Sequence, residues 1–541
     1  MTTNKADILD TIFSSQYNSN AKIPGPYGEK LLTYADYIAS AQPLRIIENF
    51  IAEKVYPYYA NTHTEASYTG LHTSHLREEA RSIIKKCVNA TEADVLIFTG
   101  TGSTAAVDKI SRLLANQNQK TIIFHGPFEH HSNVLPWRES TFEVVPIAIT
   151  NNGLVDLVDL EKQLKAYQGK GRLIGSFSAA SNVTGIIAPI DEITHLLHQY
   201  GALSFWDYAA GAPYMKIDMN PGEGLHKDAI FISPHKFIGG TGTPGILIAK
   251  KALFDNATPL VPSGGTVEFV TRHKHRYFND IETREEGGTP GIIEAIRAGL
   301  CFKLKSEIGE ARIDQLETHA AQLALNAFAQ NPNLFILGNT TSKRLAFFAF
   351  HIRNSGRFLH HNFVIALLND LFGIQARGGC SCAGPYGHEL LDLSDEKSDE
   401  YMDELDTGNV GIKPGWSRLN LNYFVPEYEI NFIIKAVNWI ADNGYLFLKS
   451  YHFDDKTAIW RNNKTTDPVL HSLSDFNSQD SSITIESTIN RADIQNSYFE
   501  QADLLAQQAK KEWSNTPCQT YSYNQVNNPL RWYTLAQDIA L

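Results

Sequence analysis

The sequence predicts an α/β protein built on a mainly parallel sheet, followed by a smaller α+β unit. Seven short apolar runs, at residues 95–98, 121–124, 142–147, 173–177, 203–206, 229–232 and 245–249, have the length and composition of buried strands. Helical patterns lie between many of them, at 104–115, 157–167 and 190–199. Strands alternating with helices place a parallel sheet in the core. Such sheets bind ligands at the carboxyl ends of their strands. The residues that follow each run are therefore the ones to read for chemistry.

Near residue 291 the pattern changes. Spans 292–305 and 311–329 read as consecutive helices, followed by a strand at 345–352 and a helix at 362–371. Strands at 373–376 and 417–423 and a helix at 426–442 complete the α+β unit. The expected division is an N-terminal segment (1–30), able also to pack with the small unit, a large domain (31–290), a small domain (291–450) and a C-terminal extension (451–541). Residues 391–415, acidic and glycine-containing, read as a loop or flap. Within the extension, 457–491 is rich in Ser, Thr, Asn and Asp, and 497–514 reads as an amphipathic helix of an appendage that packs on the body or is partly mobile.

Composition narrows the class. With 43% hydrophobic and 20% charged residues, a large soluble core is expected. The net charge of -12 argues against nucleic-acid binding through a basic surface. No apolar run approaches the ~20 residues of a membrane span, and the polar residues 1–10 do not read as a signal peptide. Five cysteines in 541 residues form no disulfide framework, so a reducing, cytoplasmic setting is expected. Without a Cys-x-x-Cys pair, no metal site is expected.

The residues after the apolar runs form a series. Gly100-Thr101-Gly102-Ser103-Thr104 joins a strand to a helix, and exposed amides at a helix start make an anion cradle. No acidic residue follows the next strand to hold a ribose, and Gly-Lys-Ser/Thr is absent, so the anion is a phosphate but not a dinucleotide's. Glu129-His130-His131 follows the second run, and an imidazole can stack on a flat ligand or move protons. Asn182 lies after the run at 173–177 and can donate a hydrogen bond. Asp207 ends the run at 203–206, where a carboxylate is costly without a cationic partner. Ser233, His235 and Lys236 sit between two strands, and a desolvated lysine becomes an amine nucleophile of the Schiff-base kind. Arg377-Gly378-Gly379-Cys380-Ser381-Cys382 is a glycine-rich loop that can expose a thiolate. Arg418 has the two-pronged donor geometry that holds a carboxylate. Each residue alone also fits an ordinary structural role.

In chain order these residues resemble the class V aminotransferase family of pyridoxal-phosphate (PLP) enzymes, and most of all its SufS-like cysteine desulfurase and selenocysteine lyase branch. The segments that carry the resemblance are Tyr34 to Gln42, Glu129 to Trp137, Ser233-x-His235-Lys236, Glu286 to Pro290 and Arg377 to Cys382. It implies fold type I of the PLP-dependent transferases. Lys236 then carries the cofactor and moves the substrate α-proton, Asp207 pairs with the ring nitrogen, His130 stacks on the ring and Asn182 contacts its oxygen. Ser103, Thr104, Ser233 and His235 hold the phosphate. Gly288 and Thr289 reach it from the second subunit of a homodimer. Arg418, with Arg377, binds the amino-acid substrate, and Cys382 takes its sulfur, for passage to a possible acceptor protein. The sequence departs from the branch at Ala210, where the family has glutamine, and at Cys380 and Ser381, where it has two histidines. Cys380 thus competes with Cys382 for the thiol role. Another class V reaction (transamination, epimerisation or β-elimination) and a non-catalytic protein with the PLP fold stay open at this stage.

Overall fold

The computed structural model describes residues 7–62, 64–464, 470–476 and 490–539. Parts of the expected polar stretch 457–491 thus lie outside the described residues.

All seven apolar runs form strands of one sheet: β1 (Asp94–Phe98), β2 (Thr121–His125), β3 (Glu143–Pro146), β4 (Arg172–Ser178), β5 (Leu203–Asp207), β6 (Ala229–Ile232) and β7 (Ile246–Lys250). Their order is β1-β7-β6-β5-β4-β2-β3. Only β7 runs antiparallel, between β1 and β6. The central strands are buried on both faces, because helices such as Gly102–Asn116 and Ile190–Gln199 cover them. Asp156 caps the helix Leu157–Tyr167 by accepting from Val158 N and Asp159 N.

A second sheet, of five strands, contains Phe347–Asn354, Arg377–Gly379 and Trp416–Asn420, with Trp416–Asn420 in the middle of that trio. Beside it the short strand Thr33–Tyr34 pairs in parallel with Ile374–Gln375, tying the start of the span expected as the large domain to this unit. The helices Ile292–Ile308, Glu310–Phe328, His361–Phe372 and Glu427–Asn443 fall where the sequence places them.

Residues 391–415 correct the sequence reading. They hold the helix Asp395–Asp406 and a single turn at Val410–Ile412 rather than an open flap. Ser394 caps the helix by accepting from Lys397 N, and Asp395 and Glu396 occupy its positive first turn. The extension holds this segment down. Tyr401 donates to Leu530 O at 3.0 Å, Asn528 to Glu404 at 2.8 Å and Trp532 Nε1 to Ile412 O at 3.0 Å. The Trp532 indole lies parallel to His361 within 4°, and the buried His360 and His351 stack on it as well. The helix Arg491–Glu512 begins six residues before the expected start, because Arg491 anchors its first turn to Glu429, Leu32 O and Ser19 O. Among the described residues no helix is long and apolar enough to cross a membrane.

Candidate active site

The carboxyl ends of β2, β4, β5 and β6 converge on a cavity of about 210 Å³. Lys236, Asp207, Asn182, His130, Ser103, Thr104, Ser233, His235, Arg377, Cys382 and Arg418 all line it. Gly288 and Thr289 do not. They are exposed on the surface, where Asn61 Nδ2 donates to Thr289 Oγ1 at 3.3 Å. Cys380 does not line it either.

At one end the helix Gly102–Asn116 points its N-terminus at the cavity. Gly102 has φ +61°, and a Cβ there would stand 2.8 Å from Ser233 Oγ and 3.0 Å from His235 Cε1, so the cradle requires glycine. Ser103 N donates to Ser233 Oγ at 2.8 Å, and the Thr104 and Ser132 hydroxyls are 2.7 Å apart. Amides, hydroxyls and a helix start with no side-chain cap form a place for an anion.

Asp207 is buried and accepts from Ala209 N at 2.8 Å, with no ion pair among the described residues. Burial pushes its carboxyl up, against the pull of Lys236. Burial also brings the Lys236 ammonium down to about 8, although Asp207 favours the charged form. His130 falls to about 3 through burial first, then the positive charge of Lys236, so its ring is neutral. Its Nδ1 accepts from Ser132 N at 3.1 Å, which fixes the ring beside the cavity. Under it, Glu129 is buried and pushed up to about 7, held by Ser178 and Asn133.

The other wall comes from the second sheet. Arg377 and Arg418 are direct cross-strand partners, an arrangement that is repulsive by itself. Asp36 resolves it. One carboxylate oxygen accepts from Arg377 Nε at 3.0 Å and the other from Arg418 at 3.3 Å. Arg418 also donates to Asn182 O at 2.9 Å. Two buried polar atoms among these lining residues, Asn182 Oδ1 and Arg418 Nε, have no partner. Such atoms mark where a ligand's polar groups fit.

Cys382 sits on a strained turn. Ser381 and Cys382 both have φ +54°, a left-handed backbone that costs of order 1–3 kcal/mol at a residue other than glycine. Neighbouring contacts hold it there. Asn182 Nδ2 donates to Ser381 O at 2.7 Å, Trp416 Nε1 to Ser381 Oγ at 3.1 Å and His131 N to Cys382 O at 2.9 Å. The thiol residue is exposed at the cavity mouth.

Sequence reasoning passed over Asp36, Ser132 and Glu129, although all three lie inside the segments that carried the resemblance. The signal for Asp36 was a carboxylate among apolar residues just after a short strand.

The fold and the lysine-centred cavity define a cofactor enzyme of the PLP-transferase type. The chain belongs to the class-V aminotransferase family, whose model matches residues 33–394, well over half of its length. It is a PLP-dependent enzyme. A probable cysteine desulfurase of Halalkalibacterium halodurans is 30% identical over 363 residues, covering 65% of this chain and 84% of that protein. A probable cysteine desulfurase of Staphylococcus aureus is 27% identical over 364 residues, covering 66% and 84%. Among solved structures, the apo cysteine desulfurase of Thermococcus onnurineus superposes with a TM-score of 0.66 at 21% identity, covering 82% of this chain and all of that one. A cysteine desulfurase of Escherichia coli gives 0.62 at 20%, covering 80% and 98%. The residues present fit PLP: an anion cradle for the phosphate, an unpaired buried carboxylate for the ring nitrogen and a desolvated amine for the carbonyl.

Proposed function

We propose that this protein is a cysteine desulfurase or selenocysteine lyase, releasing alanine from its substrate and taking the sulfur onto Cys382. The observation that carries the reading is that Lys236, Asp207, Arg418 and Cys382, far apart in sequence, share one cavity. Bound PLP supplies an electron sink for the substrate α-carbon.

The chain's residues divide the remaining work. The amides of the helix start, with Ser103, Thr104, Ser233 and His235, hold the phosphate. Asp207 would keep a positive charge on the ring nitrogen, the neutral His130 would flank the ring and Asn182 would lie beside it. Arg418, aimed by Asp36 and Arg377, orients the substrate carboxylate through its free Nε. Lys236 Nζ, easily deprotonated at about 8, removes the α-proton and returns one. The Cys382 thiolate attacks the substrate sulfur. The new S–S bond makes a persulfide, the Cβ–S electron pair passes to carbon, and a proton completes alanine.

The persulfide then calls for an acceptor thiol, free or on a partner protein. A reducing compartment such as the cytoplasm suits the five unpaired cysteines. We place Gly288 and Thr289 at the phosphate of a second subunit. Their exposure, with that of Tyr58, Tyr59 and Tyr68, near in sequence to the Asn61 that bonds Thr289, supports such a homodimer.

Incubating the holoenzyme with L-cysteine, while alanine and persulfide are measured, tests the reading. Cys382→Ala lowers sulfur release about 10³-fold or more, whereas Cys380→Ala keeps most of it. Full turnover by Cys382→Ala sinks the desulfurase reading, and keto acid in place of alanine points to transamination.

A further inference from the structure

We propose that His198, His226 and Asp228 form a zinc-class divalent metal site at the amino ends of the central strands β5 and β6, opposite the catalytic cavity. His198 lies in the last turn of the helix Ile190–Gln199. Asp228 immediately precedes β6, and its carboxylate accepts from Ser204 N, at the amino end of β5, at 2.8 Å. Asp207 closes β5 at its other end, so the two sites are separated by the length of a strand.

The geometry is that of ligands without their ion. His198 Nε2 stands 3.2 Å from Asp228 Oδ2, and His226 Nε2 stands 3.8 Å from Asp228 Oδ1. One ligand atom from each residue falls within 4.8 Å of the others. Around a tetrahedral ion with ligands at ~2.0–2.1 Å, ligand atoms stand roughly 3.3 Å apart. The pair formed by His198 and Asp228 already has that spacing, and His226, 3.8 Å from the other carboxylate oxygen, must close in to complete the set.

Hydrogen bonding points the same way. His198 Nδ1 lies 2.9 Å from Gly224 O, an acceptor, so Nδ1 carries the hydrogen. The Nε2 of the neutral ring then faces a carboxylate oxygen at 3.2 Å, so either a second ring proton, which the hydrogen bond to Asp228 favours, or a metal ion lies between them. A ring nitrogen donating to a backbone carbonyl while the other faces the ion is the usual outer support of a metal-bound histidine. The His226 ring stacks on His198 at 4.3 Å between centroids and faces the same carboxylate. One proton would serve His198 alone, whereas one ion serves all three groups. Two imidazoles and a carboxylate select zinc over calcium or magnesium, and the carbonyl end of a helix favours a cation. The Asp228 and His198 side chains are 9% and 16% exposed, that of His226 is 41%, so the fourth position opens to water on the His226 side. The sequence expectation of no metal rested on cysteine spacing and did not weigh this set. The ion would clip the helix end, the 219–228 loop and two strand starts together.

The test strips the holoenzyme with a chelator, dialyses it against zinc sulfate and measures bound zinc and thermal midpoint. One zinc per chain and a raised midpoint are expected. His226→Ala, at a partly buried position, costs at least the roughly 10–100-fold in affinity that loss of an outer support costs. It removes the rise in midpoint and leaves the cofactor's visible absorbance unchanged. Cobalt loading gives a spectrum without a thiolate charge-transfer band, and Cys380→Ser/Cys382→Ser loads fully. No stoichiometric zinc, zinc that persists in His226→Ala, or a thiolate band lost in the cysteine variant overturns the proposal.

Discussion

Asp36→Asn removes the charge between two arginines and leaves the backbone alone. The facing nitrogens stand 3.0 and 3.3 Å from the two oxygens of Asp36. That geometry holds the guanidinium groups within roughly 6–8 Å of each other, a repulsion of about 2–3 kcal/mol at an effective dielectric of ~20. Arg377 is more than half exposed (55%), and screening trims the figure to about 1–2 kcal/mol. Freed of its anchor, Arg418 swings from its cross-strand neighbour and presents its Nε less well. The corresponding loss in kcat/KM is about 5–30-fold, carried mainly by KM. Steady-state alanine formation from cysteine measures it. Adding Arg377→Gln removes the repulsion and restores part of the loss. A lower KM in Asp36→Asn would mean that the carboxylate competes with the substrate instead of placing its receptor. That result, or a double variant no better than the single one, refutes the reasoning.

Two further outcomes follow from the cavity floor and the extension. In the cofactor-free protein, Lys236 binds its proton less tightly folded than unfolded, so the unfolded chain holds more protons between about 8 and its ordinary 10.5. Stability therefore rises with pH across that window, and the penalty is fully present below it. Chemical unfolding of apo Lys236→Met shows a flatter pH profile there and a more stable protein below pH 8; identical profiles contradict the assigned burial. Trp532→Ala uncovers three stacked histidines and costs about 2–3 kcal/mol, under the usual core range because the indole is partly exposed. It also loosens the helix Asp395–Asp406, which hydrogen exchange of that segment reports; unchanged exchange there removes the extension's bracing role.

Residues that follow apolar runs were legible because a strand end is written in local sequence. Asp207, Asn182 and Ser233 through Lys236 belong to this group. The loop Arg377 to Cys382 and Arg418 were read from residue type alone, and the resemblance gave them their particular roles, since a short strand such as Arg377–Gly379 has no periodicity to read. Asp36 was passed over because its place depends on Thr33–Tyr34 pairing with residues 374–375, which no local pattern encodes. The helix Asp395–Asp406 was within reach. Ser394 followed by two acids is a helix start, but the acidic composition was read as solvated loop. The stack around Trp532 joins residues about 170–180 apart, and nothing local marks it.

The placement of Asp36 carries a consequence for how the protein is made. Its carboxylate reaches Arg418 across 382 residues of chain. At ~5–20 residues per second of synthesis, about 20–80 s pass between the emergence of one and of the other. Gln495, later still, hydrogen-bonds Thr33, three residues before Asp36. Through that interval the large sheet can assemble on the ribosome while the N-terminal segment waits without its partners. The wall that receives the substrate thus closes well after the large sheet, and a nascent chain released early has the lysine in place but not the arginine pair.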